Sequence, residues 1–253
     1  MSFVLIAAIF IIVFLISIYK TVEVDITLKY YELFGKKVDE LRDKVVWITG
    51  ASSGIGENLA YELASVGCKL ILSARRKQEL ERVKTKCSEI AGKKLNDEDK
   101  DFLVLPLDVT KFDTHDQAVQ TVLEHFGQID ILVNNSGRSQ RGIIINTEFK
   151  VDQELFELNV LGTISLTKVV LPHMIERNAG HIVVVSSLTG KLGVPTSGTY
   201  SATKHALQGY FYSLRTEVYD NGIDVSIVCP GPVKSAIVEN SVSEKFGKAC
   251  RTI

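Results

Sequence analysis

The chain has 253 residues, with 29 Lys and Arg against 30 Asp and Glu, giving a net charge of −1. At 45% hydrophobic and 23% charged it suits one globular domain with room for a tail. That balance excludes a disordered chain, a collagen-like repeat and a disulfide scaffold, and without a basic excess no nucleic-acid partner is expected.

Residues 2–19, SFVLIAAIFIIVFLISIY, carry no charge. At 1.5 Å per residue the run covers about 27 Å, close to the hydrocarbon thickness of a bilayer. No Lys or Arg precedes it, and Ile16-Ser17-Ile18-Tyr19 makes a poor cleavage site. An uncleaved transmembrane anchor over residues 1–20 is therefore expected in place of a signal peptide. Lys20, Lys29, Lys36 and Lys37 all follow the run, which favours the cytosolic face for the rest of the chain and leaves the face open. Residues 21–42 mix charges with Tyr30, Tyr31 and Phe34 and read as a juxtamembrane connector.

From residue 43 to 253 the pattern changes. Short apolar runs at 45–49, 69–74, 102–107, 131–135, 181–187 and 224–229 read as strands. Helical stretches fall between them at 55–65, 77–90, 113–126, 156–176 and 200–219. Several strands are almost continuous Val, Ile and Leu, as expected when helices cover both faces of a sheet. The fold class is α/β, a Rossmann-like doubly wound parallel sheet. Residues 93–101, KKLNDEDKD, read as a solvated loop. Cys68, Cys87, Cys229 and Cys250 lie far apart without metal-ligand spacing, so no zinc site follows.

Directly after the first strand comes Thr49-Gly50-Ala51-Ser52-Ser53-Gly54-Ile55-Gly56, leading into a helix. Gly50 permits a tight turn, Gly54 lets a pyrophosphate approach the backbone, and Gly56 lets the helix pack closely. The free N–H groups of the helix start would face the anion. At the end of the second strand an acidic residue would bind the ribose hydroxyls of NAD. Arg75 and Arg76 stand there instead, and a guanidinium suits a 2′-phosphate. NADP(H) is the expected cofactor, with NAD(H) the weaker alternative. Arg75 is expected to lead and Arg76 to follow.

Tyr200 and Lys204 lie four residues apart, on one helical face. A phenol with a pKa near 10 is a slow acid-base group at neutral pH, and a neighbouring ammonium draws that value down. Ser187 stands thirteen residues before Tyr200, at the end of an apolar strand that would face the ligand crevice.

Taken together, TGASSGIG at 49–56, NNSG at 134–137, Ser187 with YSATK, and PGPV at 230–233 resemble the single-domain short-chain dehydrogenase/reductase family over about residues 44–240. The resemblance implies Tyr200 as acid-base, with Lys204 lowering its pKa and holding the nicotinamide ribose. Ser187 would position the substrate oxygen, and Asn159 would support a water-linked relay to Lys204. It further implies cofactor contacts at Ser52, Ser53, Ile55, Asp108, Val109, Asn135, Val233 and Ser235. Asp108 could equally be a turn residue at a strand end, and Asn159 a buried helix-stabilising amide. The implied partner is a hydrophobic carbonyl or alcohol such as a steroid or retinoid. The implied setting is the endoplasmic reticulum membrane, with residues 2–19 in the lipid bilayer and room for a homodimer.

One departure stands out. After the sixth strand the family continues through a covering loop, further helices and a last strand, whereas only residues 231–253 remain here. The sheet is expected to lack that final strand and to leave an edge exposed. A catalytically impaired, membrane-tethered nucleotide-binding or interaction protein is the competing reading. A dinucleotide-using epimerase would need a larger substrate domain.

Overall fold

The computed structural model describes residues 5, 7–14, 30, 33–35, 37–94, 98–233 and 241–247. The chain divides into two units, Met1–Glu40 and Leu41–Ile253. In the first, Leu5 and residues 7–14 are helical with exposed side chains, and the Tyr30 and Phe34 rings stand 5.1 Å apart. Most of the expected connector lies outside the described residues.

The second unit alternates strand and helix. Its elements are β1 (Val45–Thr49), α1 (Gly54–Val66), β2 (Lys69–Ser73), α2 (Lys77–Ala91), β3 (Phe102–Val104), α3 (His115–Phe126) and β4 (Ile131–Asn134). Then come α4 (Phe149–Phe156), a π-helical turn (Glu157–Leu161), α5 (Gly162–Arg177), β5 (Gly180–Val185), α6 (Gly198–Glu217) and β6 (Ile223–Val228). Among the described residues the strands form one parallel sheet in the order β3-β2-β1-β4-β5-β6. β6 is an edge with no further strand beside it among those residues.

Alternation along the strands sends side chains to two cores. Val45 and Trp47 join Ile71 and Leu132 under α3, α5 and α6, where Val122, Leu166 and Phe211 are fully buried. Val46 and Ile48 pack on the other face against Ala60 of α1 and Leu80 and Val83 of α2. Trp47 is wholly buried, and its indole N–H donates to Ser73 Oγ at 2.8 Å.

Two expectations need correction. The helix expected at 156–176 begins seven residues earlier, because Val151 and Leu155, one turn apart, are buried and draw that segment onto the body. Part of the stretch expected as a solvated loop, Glu98–Asp101, is a short helix that brings buried Asp101 up to β3. The helical run 149–177 is long and apolar enough to cross a membrane by composition, but Leu166, Val170 and Met174 of α5 lie in the sheet core.

Residues 241–247 lie along the segment that follows β4. Val242 N–H donates to Ser139 O at 3.0 Å, and Arg141 N–H to Val242 O at 2.9 Å. Val242 is buried with Val151 and Leu155, so this part of the chain helps hold α4 in place.

At the other end of the sheet, Asp130 ties three elements together. Its carboxylate accepts from Val45 N–H at 2.9 Å, from Gln128 Nε2 at 2.9 Å and from Arg177 Nη2 at 2.9 Å. Burial pushes its pKa up, but the Arg177 and Val45 hydrogen bonds outweigh that and hold it below the ordinary value of 3.8. A lowered carboxylate pKa contributes stability above the unfolded value and loses it as the pH falls through the folded one. Asp130→Asn should therefore cost about 2–4 kcal/mol at neutral pH. In denaturant titrations the gap from wild type should close below pH 3.8.

Candidate active site

At the end of β1 the chain turns into α1 with Gly50 at φ +65° and Gly54 at φ +61°, backbone that other residues rarely adopt. A Cβ on Gly56 would stand 2.5 Å from Gly50 O and 2.6 Å from Asn135 Nδ2, so a bare backbone is required under the turn. Ser53, at the helix N-cap, makes no side-chain bond to the helix. The first N–H groups of α1 are thereby left for an anion.

Across from the turn, Asn135 braces β4 to β1. Its side-chain amide donates to Thr49 O at 3.0 Å and Gly50 O at 3.1 Å. Thr49 Oγ1 accepts from Asn135 N–H at 3.0 Å and Ser136 N–H at 3.1 Å, and donates to Val133 O.

A cleft of about 370 Å³ runs over this turn. Gly50, Ser52, Ser53, Gly54 and Ile55 form its floor, with Arg75, Arg76, Asp108 and Val109 along one part of the wall. Arg76 Nη2 donates to Ser52 Oγ at 3.2 Å. The wall also includes Asn135, Gly137, Arg138 and Leu158. The open helix start, the paired arginines and the room above the glycines fit a dinucleotide with its phosphates on α1.

Gly137 joins the cleft to a second group of residues. A methyl there would stand 3.2 Å from Asn159 Oδ1 and 3.6 Å from Lys204 Nζ. Lys204 is 4% exposed, and its ammonium donates to Val185 O at 2.9 Å. Burial lowers its pKa to about 8. The ammonium lies 5.6 Å from the Tyr200 ring centre. Tyr200 is buried, which raises its phenol above the usual value, while a Ser187 hydrogen bond and the Arg141 charge pull the other way. Asn159 sits in the π-helical turn, a distortion often found at functional sites. Its Oδ1 accepts from Arg138 N–H at 2.9 Å, and its Nδ2 donates to Arg138 O at 2.9 Å and Thr203 Oγ1 at 3.1 Å.

Residues 44–245 match the short chain dehydrogenase family. The chain belongs to this family. It is 54% identical over 231 residues to the human "Dehydrogenase/reductase SDR family member 7", covering 90% of this chain and 66% of that protein. The chain thus spans about two thirds of the length of that relative. Among solved structures, a Burkholderia phymatum short-chain dehydrogenase/reductase in complex with NAD aligns with TM-score 0.72 and 29% identity. That alignment covers 79% of this chain and 69% of the other. A variant of actinorhodin polyketide ketoreductase with NADPH gives TM-score 0.71 and 32% identity, covering 76% and 72%.

Within the short-chain dehydrogenase fold, most residues singled out from the sequence come together. Gly50, Ser52, Ser53, Gly54, Ile55, Arg75, Asp108, Val109 and Asn135 all line the cleft. Gly56 lies beneath the turn, and Val233 is exposed after β6. Ser235 lies outside the described residues. Three placements differ in detail. Arg76, not Arg75, bonds to the glycine turn. Asp108 is also a turn residue, because its Oδ1 accepts from Thr110 N–H and Oγ1. Ser187 stands two residues beyond β5, where its Oγ accepts from Thr189 N–H at the start of a 3-10 turn.

Sequence reasoning missed Gly137 as a contact of Lys204, Val185 as its acceptor, and Arg141 as a charge near Tyr200. The glycine of NNSG was a usable signal for the first. The other two depend on strand and loop placement that no local pattern reports.

Gly56→Ala tests the packing under the turn. With Gly50 O only 2.5 Å from the new Cβ, the turn or α1 must move. The variant should lose about 1–3 kcal/mol of stability, read as a lower Tm.

Proposed function

We propose that this short-chain dehydrogenase is an NADP(H)-dependent oxidoreductase that interconverts a carbonyl and an alcohol on a hydrophobic substrate such as a steroid or retinoid. The observation that carries the reading is buried Tyr200, hydrogen-bonded to half-buried Ser187 and beside Lys204, joined to the glycine cradle through Gly137. Arg75 and Arg76 on the cleft wall favour the 2′-phosphate form of the cofactor. An apolar substrate suits the loop beside α6, where Ile144 packs on Gly198 and Ile145 is exposed.

A bound nicotinamide supplies or accepts the hydride. In the reductive direction Tyr200 gives its phenolic proton to the substrate oxygen as negative charge develops there. Ser187 donates a hydrogen bond to the same oxygen and fixes its place beside the phenol. Lys204, held by Val185 O, favours the phenolate left behind and offers its remaining N–H bonds to the ribose. Asn159 keeps the Gly137–Arg138 loop against α6, so that the phenol and the cleft stay in register.

In the full chain, Tyr200→Phe should cut NADPH-dependent reduction of retinal about 10²–10⁴-fold while cofactor fluorescence titrations stay close to wild type. NADPH should bind more tightly than NADH. Undiminished turnover in Tyr200→Phe would remove the mechanism, and equal titration curves would remove the cofactor preference.

We also propose that residues 2–19 anchor the chain in the endoplasmic reticulum membrane. The uncharged run and the exposed apolar helix of residues 7–14 support this. Carbonate extraction should leave the full chain in the membrane pellet and release a chain starting at Lys37. Release of the full chain would refute the anchor.

A further inference from the structure

The segment between β4 and α4 carries a cation that the mechanism above does not use. Arg141 Nη1 donates to Ser197 Oγ, to Gln140 O at 3.2 Å and to Ser139 Oγ at 3.4 Å. Ser139, Gln140 and Ser197 are all buried. Among the described residues no carboxylate pairs with this guanidinium.

Ser197 is the N-cap residue of α6, two positions before the first turn reaches Thr199 and three before Tyr200. A serine there ordinarily bonds its own helix. Here its hydroxyl makes no such bond; it accepts from Arg141 and donates to Gln140 O at 3.3 Å. The residue before it, Thr196, has φ +62°, a strained conformation for a β-branched side chain. Its carbonyl is held by Gly142 N–H at 2.8 Å. Strain and a diverted cap thus coincide where the Arg141 segment meets the helix that carries Tyr200.

We propose that Arg141 is a positioning residue for Tyr200. Tethered to the N-cap of α6, it keeps a permanent positive charge within electrostatic reach of the phenol and holds the first turn of the helix in place. The proposal rests on the reading of Tyr200 as the acid-base group.

The other charged and titratable groups around the phenol do not supply this. Lys204, on α6 itself, serves the phenolate and the ribose in the mechanism above and is held by Val185 O, with no tie to the N-cap. Asp152 of α4 accepts from Thr199 Oγ1 and carries the wrong sign. Cys229, after β6, acts on Lys204. Arg138 is paired with Glu154 at 3.4 Å. Arg141 is the cation whose charge opposes the effect of burial on Tyr200.

The test is fluorine NMR of the full chain labelled with 3-fluorotyrosine, with the Tyr200 signal assigned by its loss in Tyr200→Phe. Arg141→Gln should raise the Tyr200 titration midpoint by about one pH unit, tenfold in ionisation constant. Arg141→Lys should restore most of it. Ser197→Ala, which keeps the charge and cuts its tether, should move the midpoint in the same direction by less. An unmoved midpoint in Arg141→Gln overturns the proposal, as does equal behaviour of the Gln and Lys variants, which would mark a merely structural role. If Arg141→Gln does not fold, an unmoved midpoint in Ser197→Ala overturns it. The acid-base reading itself fails separately, through retained turnover in Tyr200→Phe.

Discussion

Between β1 and β4 the order of the sheet reverses, and the ends of the two strands part to leave a crevice. Parted strands leave backbone groups without ladder partners, and buried groups of that kind must be satisfied. Thr49 and Asn135 do this. Each binds the other's backbone, and Asn135 also takes the carbonyl of Gly50. The crevice is thus open above and closed below. Gly50 can then adopt its left-handed turn, Gly56 can lie against it, and α1 can aim its free N–H groups into the cleft.

The buried ammonium of Lys204 is the second constraint. Removing an amine from water lowers its pKa, and a value near 8 against 10.5 unfolded corresponds to a cost of roughly 3 kcal/mol below pH 8. Stability on this account rises with pH between the two values. A core built for stability alone would place an apolar side chain there. The surrounding structure carries the cost through well-satisfied groups: the bond to Val185 O, and an Asn159 amide fully engaged by Arg138 and Thr203. The π-helical turn is what brings Asn159 inward between α4 and α5.

A third layer is the docking of residues 241–247 on the segment after β4. The backbone pairing of Val242 with Ser139 and Arg141, and of Glu244 with Glu148, fixes a strip that also grips the start of α6 through Gly142 and Thr196. The position of Tyr200 therefore depends on residues 41 to 47 places further along the chain. The described part of the chain beyond PGPV thus packs on α4 and on the segment after β4.

Local physics made much of this protein legible from its sequence. Continuous Val and Ile runs marked strands covered on both faces, and three glycines between a strand and a helix marked the phosphate turn, because steric freedom at Gly50 and Gly56 is a property of the residues themselves. The four-residue spacing of Tyr200 and Lys204 placed them on one face for the same reason. Tertiary structure alone decided the rest. Ser187 left the strand to cap a 3-10 turn, Arg76 reached Ser52, and Lys204 found Val185 O. Arg141 took the cap hydroxyl of Ser197, 56 residues away. The last three contacts join groups far apart in sequence, and each depends on how the packed elements bring donor and acceptor together.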